Sequence, residues 1–306
     1  MTTDLAPLSA RAKAAAAFRL ARLLGRTEVT VGGSLGRFTG HTDDAVMLRH
    51  YGRTGTWSAA GVNALAAAAR AAARDGLAPL LVDVGASVGL VTAGILGQAP
   101  GTALALEPDP ETFSMLVRNM ASAGLNGRVT TLRRAAGAAN VDATGAPLAA
   151  RMVRTPGNGG DIRVASVAPH NECQPEAAPL STLDGIVPLN DKSLALLLKI
   201  DTQGHEPDVL AGAPGALARA TLTMVEFWPH GLRQMGHDPA SFATRLMGRV
   251  ATGMATAALL HDEHTRQEIV WQTPETVLQY LLDLCDTADD PGRQVEVLLR
   301  PSQVYP

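Results

Sequence analysis

The 306-residue chain reads as an α/β fold: a mostly parallel sheet with helices on both faces. Three observations predict it. Short apolar β-runs alternate with amphipathic helical stretches, the pattern of parallel strands joined by crossovers. The runs at 80–84 and 194–200 are apolar almost throughout, as befits strands buried on both faces. Acids close the strands at Asp83, Glu107 and Asp201, and in open α/β sheets ligands bind outside those carboxyl ends.

The stretch 80–90 organises the rest, because its strand runs straight into a glycine turn and then a helix starting near Val88. Gly85 and Gly89 let the chain leave the strand tightly and let a ligand approach bare backbone. The helix start offers free N–H groups and the positive end of a dipole. A dinucleotide fold wants G-x-G-x-x-G here, whereas this turn reads D-x-G-x-x-x-G. Asp83 would repel a pyrophosphate and suits a ligand with a cationic amino-acid tail. The next strand, 102–106, delivers Glu107, whose carboxylate can accept from both hydroxyls of a ribose. Together with Ala86, Ser87 and Pro108, these acids predict an adenosyl-ligand site. The adenine pocket is expected after the third strand, around Ala136. Asn140 and Asp142 fall slightly late for the acid that would meet the adenine amine.

A formal net charge of −3, without a dense Lys/Arg block, argues against a nucleic-acid surface. Two cysteines, Cys173 in a loop and Cys285 on a helix, build no disulfide framework and point to a reducing cytoplasm. No apolar run reaches the roughly 18 residues needed to cross a bilayer. Residues 11–26 are rich in Ala, Leu and Arg and free of acids, a composition shared by transit peptides. Asp4 and the spacing of Phe18, Leu20, Leu23 and Leu24 favour a structural helix instead.

In order along the chain, residues 1–78 form a helical and β preface packed on the sheet, and 79–306 the main domain. Within the preface, 27–31 is a β-run, Gly32, Gly33, Gly36 and Gly40 mark turns, and Ser58 caps a helix running to Gly76. Asp109 and Pro110 open a helix with a stripe at Phe113, Leu116, Val117 and Met120, and 128–132 is the third strand. Residues 140–180 interrupt the alternation. Asn158-Gly159-Gly160 ahead of alternating Ile162 and Val164 predicts a hairpin edge there. Strands at 194–200 and 221–227 follow, then helices from Pro239 and Pro274, with strands at 256–260 and 294–299.

Several motifs then occur in order: Asp83 to Leu90, Glu107-Pro108-Asp109, Asn158 with Gly160, Thr182-Leu183-Asp184, Lys199-Ile200-Asp201 with Gly204 and Glu206, Val209-Leu210 with Gly212-Ala213, and Glu226-Phe227-Trp228-Pro229. This set resembles the FkbM family of S-adenosylmethionine-dependent methyltransferases over roughly residues 42 to 250. The resemblance implies the Rossmann-like class I methyltransferase fold, a seven-stranded sheet with a reversed last hairpin, with S-adenosyl-L-methionine as cofactor. It also implies O-methylation of a sugar or natural-product hydroxyl. Asp83, Gly85 and Gly89 would line the methionine side and Glu107 the ribose. Two positions depart from the family pattern D-x-E-G-x-E: Gln203 replaces the middle acid and His205 the small residue. Ser87 stands where asparagine is usual.

An alcohol acceptor must lose its proton, ideally to a group with a pKa near neutrality. His205 and His230, each just beyond a strand end, are the candidate bases, and Asp201 can orient base or acceptor. Asp201, Glu206 and Glu226 do not have spacing that demands a metal, and the cluster His261-Asp262-Glu263-His264 reads as a solvated turn, so no metal is expected. The expected partner is a small-molecule hydroxyl acceptor, with neither nucleic acid nor membrane, and a homodimer is compatible with the chain. Two alternatives stand beside this reading. A non-catalytic adenosyl-binding protein is suggested by Gln203 and His205, and an NAD-type oxidoreductase is disfavoured by the missing G-x-G-x-x-G.

Overall fold

The computed structural model describes residues 9–44, 46–155, 158–169, 176–251, 255–261 and 268–301. Its first helix, α1 (Ala10–Leu23), starts at Ser9, whose hydroxyl accepts from the Ala12 N–H. It buries Ala14, Phe18 and Ala21 and leaves Leu20, Leu23 and Leu24 exposed at 57%, 83% and 54%. The expected leucine stripe therefore points to solvent, because residues two, five and six positions beyond Phe18 fall on the far side of a helix with about 3.6 residues per turn. Strands β1 (Glu28–Gly33) and β2 (Gly36–His41) pair as an antiparallel hairpin. Gly40 lies inside β2 rather than at a turn, and a Cβ there would press on Leu48 at 2.9 Å. Helix α2 (Met47–Thr54), not foreseen, packs against α1 with Gly52 facing Ala14. Helix α3 (Ala59–Arg74) follows Ser58, which has φ of 44° and makes no capping bond, contrary to its expected role.

The first half of the main sheet runs β3 (Ala78–Val84), α4 (Leu90–Gln98), β4 (Thr102–Leu106), α5 (Pro110–Ser122) and β5 (Val129–Leu132). Asp109 caps α5 by accepting from the Thr112 N–H at 2.9 Å. The buried face of α5 is Thr112, Met115, Leu116, Asn119 and Met120, so the helix is turned slightly from the expected stripe and Val117 is exposed.

Next come β6 (Ala135–Ala136), β7 (Leu148–Thr155), β8 (Asn158–Pro169) and β9 (Ala178–Ser181), which form a second sheet in the order β6-β9-β7-β8. The β7–β8 pair is antiparallel, and its end is held over the main sheet from two sides. Gly159 lies so close to the 41–44 turn that a Cβ would collide with Asp43, and Arg154 reaches Asp109 at 3.1 Å and Glu111 at 3.0 Å.

The second half comprises α6 (Leu183–Ile186), β10 (Leu194–Ile200), α7 (Glu206–Ala211), α8 (Pro214–Arg219), β11 (Ala220–Phe227), α9 (Pro229–Gln234), α10 (Pro239–Ala251), β12 (Ala255–Leu260), α11 (Pro274–Cys285) and β13 (Val295–Pro301). The seven-stranded sheet has the order β12-β13-β11-β10-β3-β4-β5, and β13 runs antiparallel to both neighbours. This is the class I methyltransferase arrangement. Alternation along the strands divides two cores: Leu81, Leu197 and Met224 face α1 to α5, while Val82, Leu198 and Val225 face α6 to α11. β3 and β10 run parallel, but the order in which strands are added to the sheet reverses between them, and at such a switch point a crevice opens.

No helix among the described residues is long and apolar enough to cross a membrane. Cys285 is buried on α11, whereas Cys173 and residues 262–264 of the His261 cluster lie outside the described residues.

Candidate active site

A cavity of about 690 Å³ occupies the crevice. Gly85, Ser87, Glu107, Pro108 and Ala136 line one side, and Asp201, Gln203, His205, Glu226, Trp228 and His230 the other. Thr155, Asn158 and Arg163 of the β7–β8 hairpin close the front. The interruption at 140–180 is thus a wall of the site. Asn140 and Asp142 are not part of it, since Asp142 organises an exposed turn by accepting from Thr144 and Ala146.

The glycine turn is built for packing more than for bare-backbone contact. Gly85 has φ of 76°, and a Cβ there would collide with the carbonyl oxygen of Asp201. Gly89 has φ of 91° and would collide with Met120 of α5. Gly85 still reaches the cavity, but Gly89 and the buried Ala86 stand behind its wall. Ser87 holds φ of 50° without being glycine, at the position where asparagine, more tolerant of the left-handed region, is usual.

Asp83 also lies behind the wall rather than facing a ligand. It is fully buried, accepts from the Thr92 hydroxyl at 2.5 Å and lies 3.3 Å from the Lys199 ammonium. Lys199 sits 3.3 Å from Asp201 as well and donates to the Gly85 carbonyl at 2.8 Å, so one buried cation ties β3, β10 and the turn together. Burial by itself would lower the lysine pKa, but Asp201, Asp83 and Glu296 outweigh it and hold the group charged. A single lysine inside an apolar run was the sequence signal for this role, and the sequence reading gave it none.

Glu107 accepts from the Ser87 N–H at 3.0 Å with one oxygen and from the Asp109 N–H at 2.9 Å with the other. Burial pushes its pKa up to about 8, against those hydrogen bonds. Each oxygen keeps a lone pair beyond its backbone bond, enough to accept from a vicinal diol.

The loop after β10 is held from within. Glu206 is fully buried and accepts from the N–H groups of Thr202 at 2.6 Å and Gly204 at 3.1 Å, with its pKa raised to about 7 by burial. It clasps its own loop and is turned away from any metal. Gln203, at φ of 58°, donates its amide to Asp201 at 2.9 Å and towards Glu226 at 3.4 Å. An acid at 203 has no such hydrogen to give, so the departure from the family pattern supplies a donor between two carboxylates.

Both histidines line the cavity with Nδ1 engaged. Nδ1 of His205 lies 3.2 Å from Asp208, and Nδ1 of His230 lies 3.2 Å from the Ala288 carbonyl. An acceptor on Nδ1 assigns it the proton and leaves Nε2 bare. His205 is buried, which lowers its pKa against the opposing pull of Asp208. Asp208 also meets Nε2 of His237 at 3.1 Å. His205, Asp208 and His237 are the group among the described residues whose donors come close enough for an ion, and hydrogen bonds already account for both contacts. Asp208 and His237 escaped the sequence reading because no local pattern links them. Trp228 is buried, donates to the Pro291 carbonyl at 3.0 Å and carries the Arg163 guanidinium 4.8 Å above its ring.

These acceptors suit an adenosyl group bearing a cationic amino-acid tail. Glu107 can take the ribose, and the acidic side at Asp201 and Glu226 matches a cation. A sheet of this order, with such a cavity at its switch point, defines an S-adenosylmethionine-dependent methyltransferase. The chain belongs to the FkbM methyltransferase domain family, whose model matches residues 83–243. No curated protein matches it. Among solved structures it is similar to an O-methyltransferase from Bacillus cereus in complex with SAH (12% identity, 78% of this chain and 80% of that one, TM-score 0.40). It is also similar to Sp1610 of Streptococcus pneumoniae, a putative tRNA (m1A22) methyltransferase in complex with S-adenosyl-L-methionine (10% identity, 80% and 74%, TM-score 0.40).

Proposed function

We propose that this methyltransferase methylates a hydroxyl oxygen of a small polar molecule, a sugar or natural product. The observation carrying this reading is the pair His205 and His230, both lining the cavity with Nδ1 tied to an acceptor, Nε2 of His205 being buried without a hydrogen-bond partner among the described residues. S-adenosylmethionine supplies an electrophilic methyl group on a sulfonium. Glu107 holds the ribose, with Gly85, Ser87, Pro108 and Ala136 forming that wall, while Asp83, Ala86 and Gly89 support it from behind. As the acceptor oxygen took the methyl group and its sulfur–carbon bond to the sulfonium broke, His205 or His230 would take the hydroxyl proton, and Asp201 would orient the acceptor. The β7–β8 hairpin and Trp228 exclude water, and most of the acceleration comes from holding the oxygen in line. Two cysteines without a disulfide framework support a reducing, cytoplasmic setting for the enzyme.

Purified protein is incubated with methyl-labelled cofactor and extract of the source cell, and labelled products are read by mass spectrometry. A labelled O-methyl ether supports the reading. Label on nitrogen, carbon or RNA alone rejects it.

A further inference from the structure

We infer that His205, Asp208 and His237 form a binding site for a divalent transition-metal ion of the zinc type. Nδ1 of His205 and Nε2 of His237 lie 3.2 and 3.1 Å from the same carboxylate oxygen, Oδ2 of Asp208. All three ligand atoms fall within 4.8 Å of one another. Zinc bonds of about 2.0 to 2.1 Å to nitrogen and oxygen set neighbouring ligands of a tetrahedron about 3.3 Å apart, so two edges already have the spacing of a ligand set. Hydrogen bonds join the three residues in the ion-free protein, but a ring N–H facing a carboxylate settles at about 2.7 to 2.9 Å when the bond is charge-assisted. Both contacts are longer than that, and closer to the ligand spacing.

The donors come from two segments that the backbone brings together and holds. His205 and Asp208 are three positions apart at the start of α7, the spacing that puts two side chains on one side of a helix. Glu206 clasps the 202–204 loop ahead of them from within. Gly204 presses on α9, where a Cβ would collide with the Gly231 carbonyl and Met235. Past the end of α9, Gly236 turns the chain at φ of 81°, and the His237 N–H donates to the Leu232 carbonyl at 2.9 Å. Both histidine backbones are therefore fixed before an ion arrives, which keeps the ordering cost of binding low.

Charge and exposure suit the same ligand. Among the described residues no lysine or arginine meets Asp208, whose ion-pair partners are the two rings. The Asp208 side chain is 38% exposed and that of His237 21%, which gives an ion a path from solvent and leaves its fourth position to water. Neither residue lines the cavity, so the site adjoins the methyl-transfer site through His205 alone. Two imidazoles and one carboxylate select zinc, cobalt or nickel over magnesium, which demands oxygen ligands. Asp201, Glu206 and Glu226, the acids weighed for magnesium in the sequence, take no part. Coordination through Nδ1 moves the ring proton of His205 to Nε2.

The test is calorimetric titration of the full chain, free of any affinity tag and stripped with chelator, with zinc chloride. The expected result is one ion per chain, with no heat from magnesium chloride. Asp208→Asn and His237→Gln should each weaken zinc binding roughly 100-fold, since losing a residue that merely orients a ligand already costs about 10- to 100-fold. Unchanged urea midpoints without the ion verify the fold of each variant, and zinc should raise the midpoint of the wild type alone. Ring-nitrogen NMR should show the His205 proton move from Nδ1 to Nε2 as zinc is added. None of these readings uses S-adenosylmethionine or an acceptor, so their failure is distinct from failure of the proposed function. Absence of zinc heat overturns the inference, as does wild-type affinity in either variant, equal binding of magnesium, or a His205 proton that stays on Nδ1 with zinc bound. Binding lost instead in the double variant His261→Gln, His264→Gln assigns the ion to that cluster and also overturns it.

Discussion

The backbone N–H of Ser87 donates to Oε2 of Glu107 at 3.0 Å, joining the turn after β3 to the carboxyl end of β4. The carboxylate thereby sets the turn and presents its remaining lone pairs to the cavity. Glu107→Ala should abolish detectable S-adenosylhomocysteine binding by calorimetry. Glu107→Gln, which keeps one acceptor, should weaken it by about 2 to 3 kcal/mol. Heat unchanged in both variants would remove Glu107 from the ribose role.

The raised pKa of Glu107 has a consequence for stability. The unfolded side chain loses its proton near 4.5 and the folded one near 8, so between those values the folded state holds the extra proton. Each rise in pH across that window therefore favours unfolding, and stability present at low pH is lost towards pH 8. Denaturant titrations at several pH values should show this slope, and Glu107→Gln should flatten it by on the order of a few kcal/mol over the window. A slope identical in the variant would mean that other groups cause it.

Gly85 meets the Asp201 carbonyl so closely that even a methyl group has no room. With φ of 76° adding backbone strain, Gly85→Ala should cost about 2 to 4 kcal/mol in chemical denaturation. A cost below about 1 kcal/mol would show that the β3 and β10 loops separate easily.

Lys199 neutralises Asp83 where water cannot and also meets Asp201 at the edge of the cavity. Lys199→Met leaves Asp83 buried with its charge unmatched, and should cost about 3 to 5 kcal/mol. Adding Asp83→Asn should recover part of that loss, since the uncompensated charge is then gone. A double variant no better than the single would locate the cost in packing.

His205→Ala and His230→Ala separate the two candidate bases. Loss of the true base should lower kcat roughly 100- to 10,000-fold with cofactor affinity unchanged. If neither change slows turnover, the base lies elsewhere. Burial holds the His205 pKa below 6.5 while Asp208 opposes that shift. Where His205 is the base, activity is present above its pKa and lost below it. Asp208→Asn should then move the acid limb of the pH profile to still lower pH.

The strands, their terminal acids and the crevice could be read from sequence because each signal lies within a few neighbouring residues. An apolar run, the acid that closes it and the glycine that turns it are local features, and strands at 80–84, 102–106 and 194–200 carried them. Glu107 needed only its place at the end of β4. The role of each glycine was another matter, because what limits Gly85 is Asp201 and what limits Gly89 is Met120, brought near by strand order.

Pairing across the fold decided the remainder. Sequence placed Asp83 at a strand end, but only the parallel register of β3 and β10, Asp83 beside Lys199, shows that its charge is met from within. The leucines of α1 have helical spacing, yet whether they face inward depends on which face meets α2, and Ala14 and Phe18 took that place. Asp208 reached His237 only because α7 and the turn after α9 pack together. By itself, the sequence determined the order of strands and helices and the acids at their ends, because those follow from periodicity within a segment. Which charges are neutralised, which faces stay wet and which histidines share a carboxylate were decided by contacts between segments far apart in the chain, and no local pattern encodes those.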